Sequence, residues 1–217
     1  MSFVSQLYER VIFSPLLRIA DKALFQVRGE LLQQARGRVL ELGIGSGLSL
    51  PYYTESVQEL VGLEPSDGLL DQCRQRLKLC QQKSASQPVP TTTLVKGVAE
   101  SLPWPDDHFD TVVAFLVFCT IGDPQQAVSE VRRVLKPGGQ LLFFEHVAAP
   151  EASLARWQQR CNPLWTRMAC GCELTRHTRD VFQGAGFDLS AVPVVRHPAI
   201  PLPLIAPTIS GAVTYAR

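Results

Sequence analysis

From Arg38 onward, short apolar runs alternate with stretches of helical periodicity, and glycine, proline or an acidic cap marks each exchange. Strands separated by helices do not form hairpins with their neighbours in sequence; they pair in parallel through right-handed crossovers and need cover on both faces. Arg38 to Leu42 reads as a first strand ending in glycines, and Glu59 to Leu63 as a second, with a helix from Ser66 to Gln82 after it. Ser84 to Pro90 reads as a loop, and Thr91 to Val95 as the third strand, because three threonines and a valine favour extended chain. Phe109 to Phe118 is nearly all apolar, which suits a central strand buried on both faces. Asp123 and Pro124 open a helix whose apolar face is Ala127, Val128, Val131, Val134 and Leu135. Lys136 to Gly139 stops that helix and feeds a fifth strand, Gln140 to Glu145. Helices over Glu151 to Arg167 and Arg176 to Gly184, then a terminal strand pair at Val192 to Val195 and Ile209 to Tyr215, complete the pattern. It predicts an α/β chain with a doubly wound, mostly parallel sheet of about seven strands.

Ahead of this alternation, Phe3, Val4, Leu7, Val11, Ile12, Leu16, Leu17, Ile19, Ala20 and Leu24 fall at helical spacing, broken at Ser14 and Pro15. Two amphipathic helices fit, either as a cap packed on the domain or in peripheral contact with a membrane surface. A length of 217 residues suits one domain. Lys plus Arg number 21 and Asp plus Glu 20, so no global field draws in nucleic acid. No apolar run reaches the ~18 residues of a membrane span, and no signal peptide pattern is read. The cysteines at 73, 80, 119, 161, 170 and 172 read as thiols of a reducing, cytoplasmic setting.

Glu41-Leu-Gly43-Ile-Gly45-Ser-Gly47 directly follows the first strand, where glycines let backbone amides approach a ligand closely. The dinucleotide pattern needs a small residue where Leu48 stands, and no lysine follows the glycines to meet a triphosphate. Glu64 ends the second strand, where a carboxylate accepts from both hydroxyls of a ribose.

With these residues, the segment Gly97 to Pro103, Phe109-Asp110 and Glu130 to Gly139 resemble the class I S-adenosylmethionine-dependent methyltransferases over roughly Val39 to Val147. The resemblance implies a Rossmann-like fold and S-adenosylmethionine as cofactor. It places Gly43, Gly45 and Gly47 beside the methionine and ribose portion, Glu41 near the ammonium, and Glu64 and Pro65 at the ribose. Ala99 and Glu100 would lie against the adenine through backbone; Val98 stands where many relatives carry an aspartate. Phe115 and Leu116 would face the methionine moiety and the transferred methyl, unless they are plain sheet core.

A narrower likeness, carried by Phe115 to Cys119, Phe144 to Ala149, Trp157-Gln-Gln, Asn162 to Trp165, Gly171 to Arg176 and Gly211-Ala-Val, is to the methyltransferase-like 7 proteins, the alkyl thiol S-methyltransferases. It implies a small apolar thiol as methyl acceptor. The ubiquinone and menaquinone C-methyltransferases share the core motifs but match the C-terminal half less well, and a binding protein without turnover is the non-enzyme alternative.

A thiolate attacks a sulfonium methyl without strong base help, so the lack of a catalytic dyad is compatible with this chemistry. His146, just after the fifth strand, reads either as the base for the thiol proton or as a structural histidine. Cys119, Glu145, Trp165 and Cys172 are the candidate substrate-pocket residues. Cys170-x-Cys172, with Cys161 and His177 near in sequence, lacks a second ligand pair at metal spacing, so no metal is expected. The expected organisation is an N-terminal helical cap over 1–36, a cofactor-binding core over 37–147, and acceptor-side helices and closing strands over 148–217.

Overall fold

The computed structural model describes residues 24–83 and 89–215. A first helix, α1, covers 24–32; the helices anticipated ahead of it, and the first part of the 84–90 loop, lie outside the described residues. β1 (Gly37–Leu42), a 3-10 turn (Leu50–Tyr52), β2 (Val57–Glu64), α2 (Asp67–Lys83), β3 (Thr91–Lys96), β4 (Phe109–Phe115) and α3 (Pro124–Val134) follow. The chain then forms β5 (Leu135–His146), α4 (Ala152–Met168), α5 (Thr178–Gly184), β6 (Val195–Arg196) and β7 (Pro207–Thr214).

The seven strands form one sheet in the order β3-β2-β1-β4-β5-β7-β6. β1 pairs in parallel with both β2 and β4, and only β7 runs antiparallel to its neighbours β5 and β6. Chain order reverses between β1 and β4, and in such sheets the crevice beyond the strand C-termini at that point receives ligands.

The apolar strands divide their side chains by twos. Val112, Ala114, Leu141 and Phe143 pack with Val128, Val131, Val134 and Phe182 from α3 and α5. Val113, Phe115, Leu142 and Phe144 pack on the other face with Leu24, Leu31 and Leu32 of α1 and Cys73 of α2. At ~1.5–3 kcal/mol for each fully buried large apolar side chain, these two layers set the register, because a slip by one residue would exchange the faces. α3 begins as anticipated, with Asp123 accepting from Gln126 N at 3.0 Å and Pro124 in the first turn. Asp110 ties three strands at their lower end, taking Arg38 N at 2.9 Å and the Lys136 ammonium at 2.7 Å.

Two boundaries differ from expectation, the first of them at the crevice. β4 ends at Phe115 and not Phe118, because Leu116 turns to φ +55° and leaves the extended region. The last strand pair is shorter on one side and shifted, Val195–Arg196 against Pro207–Thr208.

Candidate active site

A cleft of about 500 Å³ opens over the C-terminal ends of β1, β2 and β4. Its lining includes Gly43 and Gly45 after β1, Glu64 and Pro65 after β2, Ala99 and Glu100 after β3, and Phe115 and Leu116 at the end of β4. Eight of the anticipated cofactor residues therefore converge on one cavity.

The glycine loop is shaped for close approach. Gly43 sits at φ +60°, and a Cβ there would lie 2.6 Å from Val117 Cγ2. Gly45, at φ +57°, faces the cleft: a Cβ would meet nothing nearer than Gly43 O at 3.8 Å and would occupy the cavity. Gly47 is tucked beneath, against Cys73 and Leu50.

Glu64 anchors this loop to β2. One carboxylate oxygen accepts from Gly45 N at 3.2 Å and the other from Ser66 N at 2.9 Å. Glu100 accepts from the amides of Gly122 and Asp123 at 3.1 and 3.3 Å, joining the turns after β3 and β4. Val98 is exposed along the same wall. The Gly97 to Trp104 segment is fixed from α3: Glu130 accepts from Leu102 N, and Arg133 donates to the carbonyls of Leu102 and Trp104.

Glu41 takes another place. It is buried below the loop, not on the cleft, and accepts from Ser49 Oγ at 2.5 Å and Tyr53 OH at 2.9 Å. Burial pushes its carboxyl up, against the opposing pull of Ser49 and the Arg28 guanidinium. Arg28 escapes the sequence reading because it lies within an apolar-periodic stretch. It donates to Ser49 Oγ at 2.9 Å, lies 3.9 Å from the Phe115 ring centroid, and is the one Lys or Arg among the described lining residues.

None of the four anticipated substrate-pocket residues is among those that line the cleft. Cys119, Glu145 and Cys172 are buried, and with Trp165 they form a layer behind the wall that Leu116 to Gly122 provides. Cys170 lines the cleft instead. Glu145 holds the turn after β4, accepting from Val117 N at 2.9 Å and Phe118 N at 3.1 Å, and burial pushes its carboxyl up to about 7. His146 points its Nε2 at Cys172 Sγ, 2.9 Å away, and is not on the cleft. The Cys119 thiol, followed by His146, holds Cys172 below the ordinary thiol range, while the same contact and burial push Cys119 up. Cys161 and His177 do not join Cys172: Cys161 lies on α4, and His177 is exposed beside Asp180.

The family described as "methyltransferase domain" matches residues 40–143. With the sheet order and the cleft, the match marks residues 40–143 as a methyltransferase domain. The chain is 34% identical over 161 residues to the human thiol S-methyltransferase TMT1B, covering 73% of this chain and 62% of the relative. It is 35% identical over 126 residues to the phosphatidylethanolamine N-methyltransferase of Cereibacter sphaeroides, covering 55% of this chain and 59% of that one. The chain thus spans about six-tenths of these relatives' length. Among solved structures, the YcgJ protein of Bacillus subtilis superposes with a TM-score of 0.61 at 26% identity, over 77% of this chain and 68% of that one. A methyltransferase from Thermotoga maritima shares the fold over 97% of this chain and 98% of its own, with a TM-score of 0.64 at 20% identity.

The cavity fits S-adenosylmethionine on its own geometry: a glycine at positive φ whose missing Cβ leaves room, a buried carboxylate at the β2 end, and a cation, Arg28, beside the Phe115 ring.

Proposed function

We propose that this chain transfers a methyl group from S-adenosylmethionine to the sulfur of a small apolar thiol. The bound sulfonium supplies an activated methyl group, and the acceptor sulfur displaces its thioether in line, so binding and orientation carry most of the work. Glu64 receives the ribose hydroxyls, while Gly43 and Gly45 admit the chain beyond the ribose. Arg28 faces the carboxylate end, with Glu41, Ser49 and Tyr53 fixing its position from below. Ala99 and Glu100 bound the adenine end.

Phe115, Leu116, Ile121 and the Cys170 region make the acceptor side apolar, which excludes water and suits an alkyl thiol. This wall, together with the likeness to a thiol S-methyltransferase over 73% of the chain, is the observation that carries the reading. A thiol with a cysteine-like pKa near ~8.5 is a few per cent thiolate at neutral pH, and that fraction is the nucleophile this reading requires, with no protein base at the sulfur.

The test offers labelled S-adenosylmethionine with an alkyl thiol, a hydroquinone or an amine as sole acceptor. Label on the thiol supports the reading. Label confined to the ring or the amine overturns the acceptor and leaves the cofactor cleft standing.

A further inference from the structure

Behind the cleft wall, three segments distant in sequence meet at Cys119, His146 and Cys172. The two sulfurs and an imidazole nitrogen all lie within 4.8 Å of one another, and none of the three residues exceeds 9% exposure. Cys119 comes from the turn after β4, His146 ends β5, and Cys172 lies in the turn after α4.

Two features set this group apart from cysteines that fill apolar space. Trp165 Nε1 donates to Cys172 Sγ at 3.3 Å, the kind of outer contact that steadies a ligating thiolate. The turns carrying the two sulfurs are joined by Glu173 N donating to Cys119 O at 2.9 Å, which holds their backbones in place.

Ligand spacing and charge both select the occupant. Around a tetrahedral zinc ion, sulfur and nitrogen ligands stand roughly 3.6–3.8 Å apart, given bonds of about 2.3 and 2.0–2.1 Å. The group here, with the His146–Cys172 pair at 2.9 Å and all atoms within 4.8 Å, reaches that arrangement by side-chain adjustment. Two sulfurs and an imidazole are soft or borderline donors, unsuited to magnesium or calcium. Two thiolates with a neutral imidazole carry two negative charges, which a divalent ion cancels inside a low-dielectric layer and a monovalent one does not.

We propose that Cys119, His146 and Cys172 form a three-ligand site for a divalent d10 cation of the zinc type. The ion ties the turn after α4 to the ends of β4 and β5, directly behind the wall that bounds the acceptor side. Three protein ligands leave one coordination position for water or another small ligand. Binding releases the thiol protons, so affinity rises with pH.

The whole chain, stripped with chelator under reducing conditions, is titrated with Co²⁺ and then Zn²⁺ alone. One equivalent of Co²⁺ with a thiolate charge-transfer band and intense tetrahedral d–d absorption, displaced by one equivalent of Zn²⁺, is expected. Cys119→Ser and Cys172→Ser lose the charge-transfer band, Cys80→Ser keeps it, and Trp165→Phe weakens Zn²⁺ affinity by about 10-fold or more. Circular dichroism of each variant establishes that it is folded before its spectrum is read. A folded, fully reduced wild-type chain with no charge-transfer band overturns the proposal, as does a band of equal intensity in both serine variants. A loss of free thiols at positions 119 and 172 as a disulfide, with no metal uptake after reduction, also overturns it. None of these readouts uses methyl transfer.

Discussion

The Glu145 carboxylate, near the end of β5, and the Val117 amide, in the turn after β4, are joined by a hydrogen bond of 2.9 Å. Phe118 N shares the same oxygen at 3.1 Å, so one buried side chain fixes the turn in which Leu116 holds φ +55°. Left-handed backbone at a non-glycine residue costs about 1–2 kcal/mol and persists only when its surroundings hold it. Glu145→Ala strands two amides and is expected to lower stability by about 2–4 kcal/mol, whereas Glu145→Gln keeps the accepting oxygen and loses less. Thermal unfolding of both variants checks the order; equal losses would assign the stability to charge and not to the turn.

The glycine loop and that turn meet at one point, Gly43 against Val117. Gly43→Ala is expected to weaken S-adenosylmethionine binding at least about 10-fold, through the clash with Val117 Cγ2 at 2.6 Å and the strain of a positive φ. Adding Val117→Ala removes the 2.6 Å contact but leaves the Val117 Cβ at 3.2 Å and the strain, so the double variant recovers part of the affinity. Strict additivity of the two substitutions, read by calorimetry, would contradict this contact.

A pH dependence follows from Glu130. Arg133, and then Leu102 N, hold its carboxyl below the ordinary 4.5, against a smaller pull upward from burial. A depressed folded value means the unfolded chain binds the proton more tightly, so this stabilisation is present above pH 4.5 and is lost as pH falls toward the folded value. Glu130→Gln is expected to cost about 1 kcal/mol at pH 7, since the pair is partly solvated, and to cost progressively less below pH 4.5. Urea denaturation across that range checks the convergence; a pH-independent difference would contradict it.

His146 faces Cys172, so the pH profile of methyl transfer is expected to follow the acceptor's own thiol. With two acceptors of different thiol pKa, the midpoint moves with the acceptor, and His146→Gln shifts it by less than about 0.3 units. A midpoint that stays fixed across acceptors and disappears in His146→Gln would make the imidazole a base after all.

The sheet was readable because its signals are local: Asp123 and Pro124 mark one helix start, and continuous apolar runs mark β4 and β5. The same holds for Gly43, Gly45 and Glu64, which are placed by the ends of the strands that carry them. What escaped depends on distance. The break at Leu116 is held by Glu145, 28 residues from Val117, and nothing in Phe115 to Phe118 announces it. Arg28 owes its position to Ser49 and to the Phe115 ring, partners that only the folded chain supplies. The cysteine cluster follows the same rule: Cys172 pairs with His146, 26 residues away, and not with Cys170 beside it in sequence.

Equilibrium binding of S-adenosylmethionine to the purified chain tests the central claim most directly, with Glu64→Ala and the remote Arg74→Ala alongside. Arg74 pairs only with exposed Asp71 among the described ion pairs. The wild-type chain and Arg74→Ala are expected to bind one equivalent with equal affinity, and Glu64→Ala to bind at least about 10-fold more weakly, the loss of a charged hydrogen-bond acceptor. Equal affinity in all three proteins, or no binding by the wild-type chain, would contradict the assignment of the cleft.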